Sequence, residues 1–283
     1  MHWLFVDASY FIFFRYYALL SWYRRANPTA PTPPPACPLF RSKLLRRVDE
    51  TLRLLAQSYA PDNIVFCFDG HNNWRKQYYA PYKSSRVHND TVSALFTACV
   101  HHIRDEHCRA EHTQRSFALE HADLEADDIV HFLTRELVTA ADSDSKDAVR
   151  ITIIANDHDY IPLLQLPNVS IIDLKQKSIC CPCNIPLPHF LLVKILAGDK
   201  SDNIPPIFPR CGPKTALRLA SNPDCLRRKL DENTAWQKNF ERNTALIDNT
   251  QLQEEHRMWL WEQLVRLTES RKVATCLGAV ENG

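Results

Sequence analysis

The sequence predicts an α/β fold in which a mostly parallel sheet is covered by helices on both faces. Four short apolar runs read as strands: "WLFVD", "NIVFCFD", "ITIIAND" and "VSIIDL". Amphipathic stretches separate them, at roughly Ser9–Arg25, Leu39–Tyr59, Thr91–Cys108 and Leu124–Leu137. Alternation of apolar strands with such helices is typical of parallel sheets whose two faces are buried. From Pro186 onward the pattern is helical, so we predict a first domain over 1–185 and a helical second domain over 186–283.

Composition excludes several classes of protein. The chain has 283 residues, of which 45% are hydrophobic, and this is enough for a large core. No run of about 18 apolar residues and no secretory-signal layout occur, so we expect an intracellular protein without a membrane span. Ten scattered cysteines in a chain of this size favour reduced thiols over a disulfide framework.

Carboxylates follow the predicted strands at the point where each strand ends. Asp7, Asp69, Asp157 and Asp159 all occupy such positions. In parallel sheets the carboxyl ends of the strands share one edge, and ligands bind there. A single aspartate is more often a helix cap or a surface acid. That alternative is weaker here, because each of these residues ends an apolar strand.

Five more acids extend this group to nine. Glu125, Asp127 and Asp128 open a predicted helix, and Asp199 and Asp202 are three residues apart, hence on one face if helical. For this last pair a capping role is equally open. So many carboxylates would repel one another unless cations compensate them. We therefore predict a site for two Mg²⁺ ions, which Mn²⁺ could replace; such pairs, about 4 Å apart, promote phosphodiester hydrolysis.

Basic residues provide a complementary feature. The net charge is +1, and setting the nine clustered acids aside leaves +10 on the rest, which suits a polyanionic partner. Cations grip phosphates and aromatic rings stack on unpaired bases. The alternative is a solvated basic loop. The segment "WRKQYYAPYKSSR" interleaves both residue types and contains Arg75, Lys76, Tyr82, Lys83 and Arg86.

Taken together, these segments resemble the 5′ nuclease family, which comprises flap endonucleases and the bacterial and phage 5′–3′ exonucleases. The resemblance rests on "LFVDASYFIFFRYYAL", with Asp7 and Arg15, on "VFCFDG", with Asp69, and on "LEADDIV", "ANDHDYIPLL" and "ILAGDKSDNIP…GPKTALRLA". These five motifs occur in the family's order and cover roughly Met1 to Asn222. Five ordered motifs are far more specific than one acidic pair.

The resemblance implies a PIN-like nuclease core, a helical arch at about 71–112 and a helix-hairpin-helix element that grips duplex DNA. It implies that Lys83 and Arg86 contact the scissile phosphate. The DNA-binding set that we expect comprises Arg15, Arg75, Lys76, Tyr82, Gly212, Lys214 and Arg218.

The hairpin departs from the family pattern. Relatives carry several glycines there and hold a K⁺ ion, whereas this chain reads "PIFPRCGPKTA", with Pro206 and Arg210 near the glycine positions. Residues with a side chain do not readily take positive φ. The hairpin geometry and a K⁺ site are therefore doubtful on sequence grounds.

The function expected from the sequence is a metal-dependent, structure-specific 5′ nuclease. Its substrate would be DNA with a 5′ flap or a single-stranded 5′ end, and the protein would act as a monomer. The segment "ATCLGAVENG" shows no sliding-clamp-binding peptide. Two alternatives remain open: a nuclease of the same fold that removes RNA primers, and a non-catalytic protein that binds branched DNA.

Overall fold

A five-stranded, wholly parallel sheet forms the centre of the computed structural model, which describes residues 1–28, 37–86, 90–108, 115–141 and 149–280. The strand order is β3-β2-β1-β4-β5. The strands are β1 (His2–Asp7), β2 (Asn63–Phe68), β3 (Arg115–Glu120), β4 (Arg150–Ile154) and β5 (Val169–Ile172). The predicted α/β fold class is confirmed.

Strand β3 is the one strand that the sequence did not reveal. It reads "RSFALE" and pairs only with β2, at the edge of the sheet. Most of its side chains are half-buried, whereas every residue of β2 is buried. Because most of its side chains are only partly buried, its sequence does not need a run of apolar β-branched residues, and it has none.

Helices cover both faces of the sheet, as the alternation along β1 requires. Leu4 and Val6 point to the face that α1 (Ala8–Ala26), α2 (Pro38–Tyr59) and α4 (Asp90–His102) cover. Trp3 and Phe5 point to the opposite face, where α5 (Ala126–Ala140) and α10 (Glu254–Val280) pack. The remaining helices are α3 (Trp74–Tyr78), α6 (Phe190–Ala197), α7 (Pro213–Ala220), α8 (Pro223–Asp231) and α9 (Thr234–Ile247).

The predicted arch region is described in part. Its described residues form α3, a turn through Arg86, α4 and a π-helical turn at Ile103–His107. Helix α4 packs Leu95 and Cys99 against the cluster of α1 and α2. Residues 87–89 and 109–112 of the predicted arch lie outside the described ranges.

No helix in the described ranges is both long enough and apolar enough to cross a membrane.

Candidate metal centre

Six of the nine predicted carboxylates line one cavity of about 250 Å³ where the strands β1, β2 and β4 end. Lys83 and Arg86 line the same cavity. The parallel sheet explains this convergence, because it delivers several separate segments to one edge. The six carboxylates are Asp7, Asp69, Glu125, Asp127, Asp157 and Asp159.

Hydrogen bonds fix the orientation of the first two carboxylates. Asp7 caps α1: its Oδ1 accepts from the backbone N–H of Tyr10 at 2.9 Å, and its Oδ2 from the Tyr160 hydroxyl at 3.0 Å. Asp69 follows β2 and accepts from the backbone N–H of Ala126 at 2.8 Å and from the Ser9 hydroxyl. Both side chains are therefore preorganised.

Burial and mutual repulsion raise the pKa values of three carboxyl groups in the cavity. Burial, followed by the charge of Asp69, raises the pKa of Asp7 to about 7. Burial and the neighbouring carboxylates raise the pKa of Asp127, and burial with Asp159 raises the pKa of Asp157. The cavity thus disfavours negative charge in the absence of a compensating cation.

Lys83 brings one positive charge to this cavity. Its ammonium contacts the carboxylate of Glu125 and lies 3.8 Å from that of Asp202. Burial acts to raise the pKa of Glu125, but the charges of Lys83 and Arg75 and the hydrogen bonds from Lys83 and Tyr82 together outweigh it, and the pKa falls to about 2. Lys83 has φ 52, in the left-handed region that residues with a side chain rarely adopt. Its backbone N–H donates to the carbonyl of Asp202 at 3.0 Å, which helps to hold this turn.

Asp199 and Asp202 lie in a turn and not in a helix, so the shared helix face that their spacing would give does not form. Gly198, with φ 71, ends α6, and the chain folds back so that the N–H of Asp199 donates to the carbonyl of Ile204 at 2.9 Å. A Cβ at Gly198 would come within 2.4 Å of that same carbonyl oxygen, so this position requires glycine.

Both aspartates form ion pairs with basic side chains next to the cavity. Asp202 accepts from Arg86 at 2.8 Å. Asp199 lies 3.0 Å from the ammonium of Lys194, which also contacts Asp159. They are therefore close to the six carboxylates but paired with protein side chains.

Asp128 and Arg75 form a buried ion pair, which corrects two predictions. Arg75 is 1% exposed and donates to both carboxylate oxygens of Asp128 at 2.7 Å, while Asp128 is 0% exposed. The Nε of Arg75 donates to the carbonyl of Leu246 at 2.8 Å. A guanidinium in this environment cannot contact DNA, and a carboxylate so paired does not face the metal cavity.

Tyr82 is also buried, at 3% exposure, and its hydroxyl donates to Glu125 at 2.6 Å. The prediction that it stacks on a DNA base is therefore wrong. Lys76, by contrast, is exposed. Its DNA contact stays a prediction.

Three further side chains line or brace the cavity and were missed from sequence. Ser9 and Tyr160 line it and hold the aspartates, and Lys194 pairs with Asp159. The first two lie within three residues of a predicted site aspartate, a signal that could have found them. Lys194 sits in the apolar run "FLLVKILA", which gives no such signal.

Arg15 lies in a separate basic cleft between α1 and α2. The cleft has a volume of about 310 Å³, and its lining includes Lys43, Arg46 and Arg47. The ammonium of Lys43 lies 4.5 Å from the ring centroid of Trp22, also part of this lining. Arg15 thus adds to a positively charged surface outside the acidic cavity.

The hairpin between α6 and α7 forms although Pro206 and Arg210 stand near two glycine positions of the family pattern; Gly212 is kept. Arg210 adopts φ 65, the conformation that the sequence disfavours, at a cost of roughly 1–2 kcal/mol. Leu196 of α6 and Leu219 of α7 pack in one buried cluster with Ile207 of the hairpin, and this packing opposes that cost. Gly212 caps α7 with φ −83, which any residue can adopt, and Lys214 and Arg218 are exposed.

Part of this chain is similar in sequence to curated bacterial DNA polymerases. DNA polymerase I from each of two strains of Streptococcus pneumoniae is 28% identical to this chain, over 193 and 196 residues. Each alignment covers 64% of this chain and 19% of the polymerase. The chain therefore spans about a fifth of the length of these curated relatives.

Solved structures of phage T5 proteins share the fold. The T5 protein co-crystallised with metal ions has a TM-score of 0.63 and 16% identity, covering 94% of this chain and 99% of the T5 chain. A T5 flap endonuclease in complex with DNA and metal ions has the same score and identity, covering 95% and 100%. Residues 2–184 match the family described as 5′-3′ exonuclease, N-terminal resolvase-like domain, so the chain belongs to this family of 5′ nucleases.

Proposed function

We propose that this chain is a Mg²⁺-dependent, structure-specific 5′ nuclease that hydrolyses phosphodiester bonds in DNA with a 5′ flap or a single-stranded 5′ end. The observation that carries the proposal is the convergence of six carboxylates and Lys83 on one cavity. The family of residues 2–184 supports the reaction. The phage T5 flap endonuclease complexed with DNA and metal ions supports the substrate.

The donor set of the cavity fits hard divalent cations. Mg²⁺ and Mn²⁺ prefer oxygen ligands, and the six carboxylates provide only oxygen. Burial and neighbouring carboxylates raise the pKa values of Asp7, Asp127 and Asp157, and bound divalent cations would offset this negative charge. When bound, two divalent ions supply Lewis-acid activation of the phosphate and of an attacking water.

The side chains around the cavity would position the substrate. Lys83 has its ammonium between Glu125 and Asp202, so an entering phosphate oxygen would find a preorganised positive charge. Arg86, whose side chain is 59% exposed, can swing from Asp202 toward the same phosphate. Both would offset the negative charge that develops on phosphorus oxygens in the transition state.

Replacing Lys83 with alanine should slow single-turnover cleavage by about 100-fold or more, the scale of losing one electrostatic donor. Rapid-quench kinetics on a labelled 5′-flap substrate would measure this rate. Lys76→Ala is the matched control, because Lys76 is exposed and outside the cavity lining. The control should lower affinity at most. A large loss of affinity for Lys83→Ala with an unchanged cleavage rate would reassign Lys83 to simple anchoring.

The duplex arm of the substrate would be held by the hairpin and by the basic cleft around Arg15. Contacts with the DNA backbone are electrostatic, and each neutralised phosphate releases counterions. Lys214→Ala and Arg218→Ala should therefore weaken flap binding and flatten its salt dependence, with little effect on single-stranded DNA. Fluorescence anisotropy over a salt series measures both slopes. Equal slopes in wild-type and variant protein would contradict a backbone contact at the hairpin.

A related expectation concerns whether the hairpin binds K⁺. We expect flap affinity to differ little between matched K⁺ and Na⁺ buffers, because Pro206 and Arg210 replace the glycines of the family pattern. The left-handed turn at Arg210 nevertheless forms. A pronounced gain specific to K⁺ would show that this turn builds the ion site without glycine.

Titration of Mg²⁺ against matched labelled substrates tests the proposed function. We expect cleavage of a DNA 5′ flap that rises with Mg²⁺ and stops in EDTA. Preferred cleavage of the same flap made of RNA would favour the primer-removing alternative. Tight binding without cleavage at any Mg²⁺ or Mn²⁺ concentration would identify a branched-DNA-binding protein.

A further inference from the structure

Two histidines and an aspartate meet where α10 begins against the loop between β3 and α5. His121 and Asp123 lie in that loop, and His256 lies in the first turn of α10. One potential ligand atom from each residue lies within 4.8 Å of the other two. None of the three lines the acidic cavity, so this cluster is distinct from the candidate metal centre.

His256 is the unusual member of the cluster. It is 1% exposed, and its Nδ1 has no hydrogen-bond partner in the described part of the chain. Its Nε2 lies 4.0 Å from a carboxylate oxygen of Asp123 and 3.9 Å from one of Glu255, too far for hydrogen bonds. Because buried polar groups are nearly always hydrogen-bonded, an imidazole held in this way beside two carboxylates points to a missing partner.

The surrounding backbone holds the cluster in place. The carbonyl of Asp123 accepts from the N–H of Trp74 at 2.9 Å. The His121 ring is 5.4 Å from the His256 ring and 4.9 Å from the Trp259 ring, between centroids. Burial, followed by the neighbouring His121, lowers the pKa of His256, so its imidazole is neutral at neutral pH. Neutral imidazole is the form that binds metals.

A second cluster of two histidines and an aspartate provides a comparison, because hydrogen bonds within it satisfy the facing atoms. His102 and His107 each place Nε2 against the same oxygen of Asp49, at 2.6 and 2.8 Å. Hydrogen bonds account fully for that geometry. Hydrogen bonds do not account for the position of the His256 imidazole.

We propose that His121, Asp123 and His256 form a structural Zn²⁺ site that fastens the start of α10 to the nuclease core, with Glu255 available as a fourth ligand. Two imidazoles and a carboxylate are a donor set suited to Zn²⁺ rather than Mg²⁺. A tetrahedral ion with bonds of about 2.0–2.2 Å needs its ligand atoms roughly 3.3 Å apart. The ligand atoms must therefore close by no more than about 1.5 Å. Such a site would brace the loop that leads directly into Glu125.

Calorimetric titration of Zn²⁺ into the metal-stripped full chain, with Mg²⁺ in large excess, tests the site. The excess Mg²⁺ is added to compete with Zn²⁺ at the oxygen-only cavity. We expect one tight Zn²⁺ per chain and a rise in Tm on Zn²⁺ addition. His121→Gln and Asp123→Asn should each weaken this ion by about 100-fold or more, beyond the 10- to 100-fold that an outer partner costs.

Two control variants locate the ion. His107→Gln removes a member of the Asp49 cluster, and Asp157→Asn with Asp159→Asn removes two carboxylates of the acidic cavity; both should leave the tight Zn²⁺ in place. His121 is partly exposed, so His121→Gln should fold, and Asp123→Asn provides a second, independent variant. Absence of tight Zn²⁺ binding would overturn the proposal. So would Zn²⁺ affinity that either control abolishes, or that His121→Gln and Asp123→Asn leave unchanged.

Discussion

Replacing Asp157 and Asp159 together with asparagine should reduce cleavage of flap DNA by at least about 1,000-fold, since losing even one preorganised electrostatic group costs 10²–10³. The two residues follow β4, and both line the acidic cavity. The backbone N–H of Asp159 donates to Oδ1 of Asp157 at 3.0 Å, which fixes their relative position. Without these carboxylates the cavity would hold divalent cations poorly.

Binding of the flap should survive the same change and become tighter, because two negative charges that repel phosphate are removed. Single-turnover cleavage and fluorescence anisotropy on one labelled substrate separate the two effects. Asp224→Asn is the matched control, since its side chain is 84% exposed in α8 and does not line the cavity. Cleavage at the wild-type rate in the double variant would refute the role assigned to the cluster.

Replacing Arg75 with alanine should lower the free energy of unfolding by about 3–5 kcal/mol, the scale for removing one partner of a buried ion pair. The substitution would leave Asp128, at 0% exposure, without its two hydrogen bonds of 2.7 Å. It would also break the bond to the carbonyl of Leu246, which ties α9 to α3. Urea unfolding followed by circular dichroism measures the change.

Lys76→Ala is the natural comparison, because the neighbouring side chain is exposed and should matter by less than about 0.5 kcal/mol. The double variant Arg75→Ala/Asp128→Ala should lose less than the sum of the single losses, since no charge is left uncompensated. If the Arg75 variant unfolded like wild type but bound DNA weakly, the result would support the sequence-based prediction that Arg75 contacts DNA.

Sequence predicted the sheet well where strands are buried on both faces. The apolar runs of β1, β2 and β4 are local signals, and the acids that follow them necessarily meet at one edge. The edge strand β3 gave no such signal, because its partly buried side chains need not be apolar. The other edge strand, β5, was predicted because its sequence "VSII" is β-branched, so composition and not position alone decided the outcome.

The roles of neighbouring residues within a motif were harder to predict. Consecutive helix positions point about 100° apart, and here Asp127 faces the cavity whereas Asp128 faces Arg75. Asp128 bonds back to the N–H of Glu125 at 3.1 Å, a capping-box arrangement that the three-residue spacing could have suggested. That it also binds Arg75 depends on tertiary packing, which spacing does not contain.

The segment "WRKQYYAPYKSSR", which mixes basic and aromatic residues, shows the same limit of sequence-based prediction. Its alternation suggested a nucleic-acid surface, yet Arg75 and Tyr82 point inward while Lys76 points outward. Charged side chains are normally exposed to solvent. A buried arginine is an exception that requires a partner from a distant segment, here Asp128.

Anomalous diffraction from crystals grown with Mn²⁺ is the most direct test of the acidic cavity as a two-metal centre. We expect two peaks about 4 Å apart within the cavity in wild-type protein. At least one peak should be lost when Asp157 and Asp159 are both replaced with asparagine. A cavity without any peak at saturating Mn²⁺, with ions bound only elsewhere on the chain, would contradict the account.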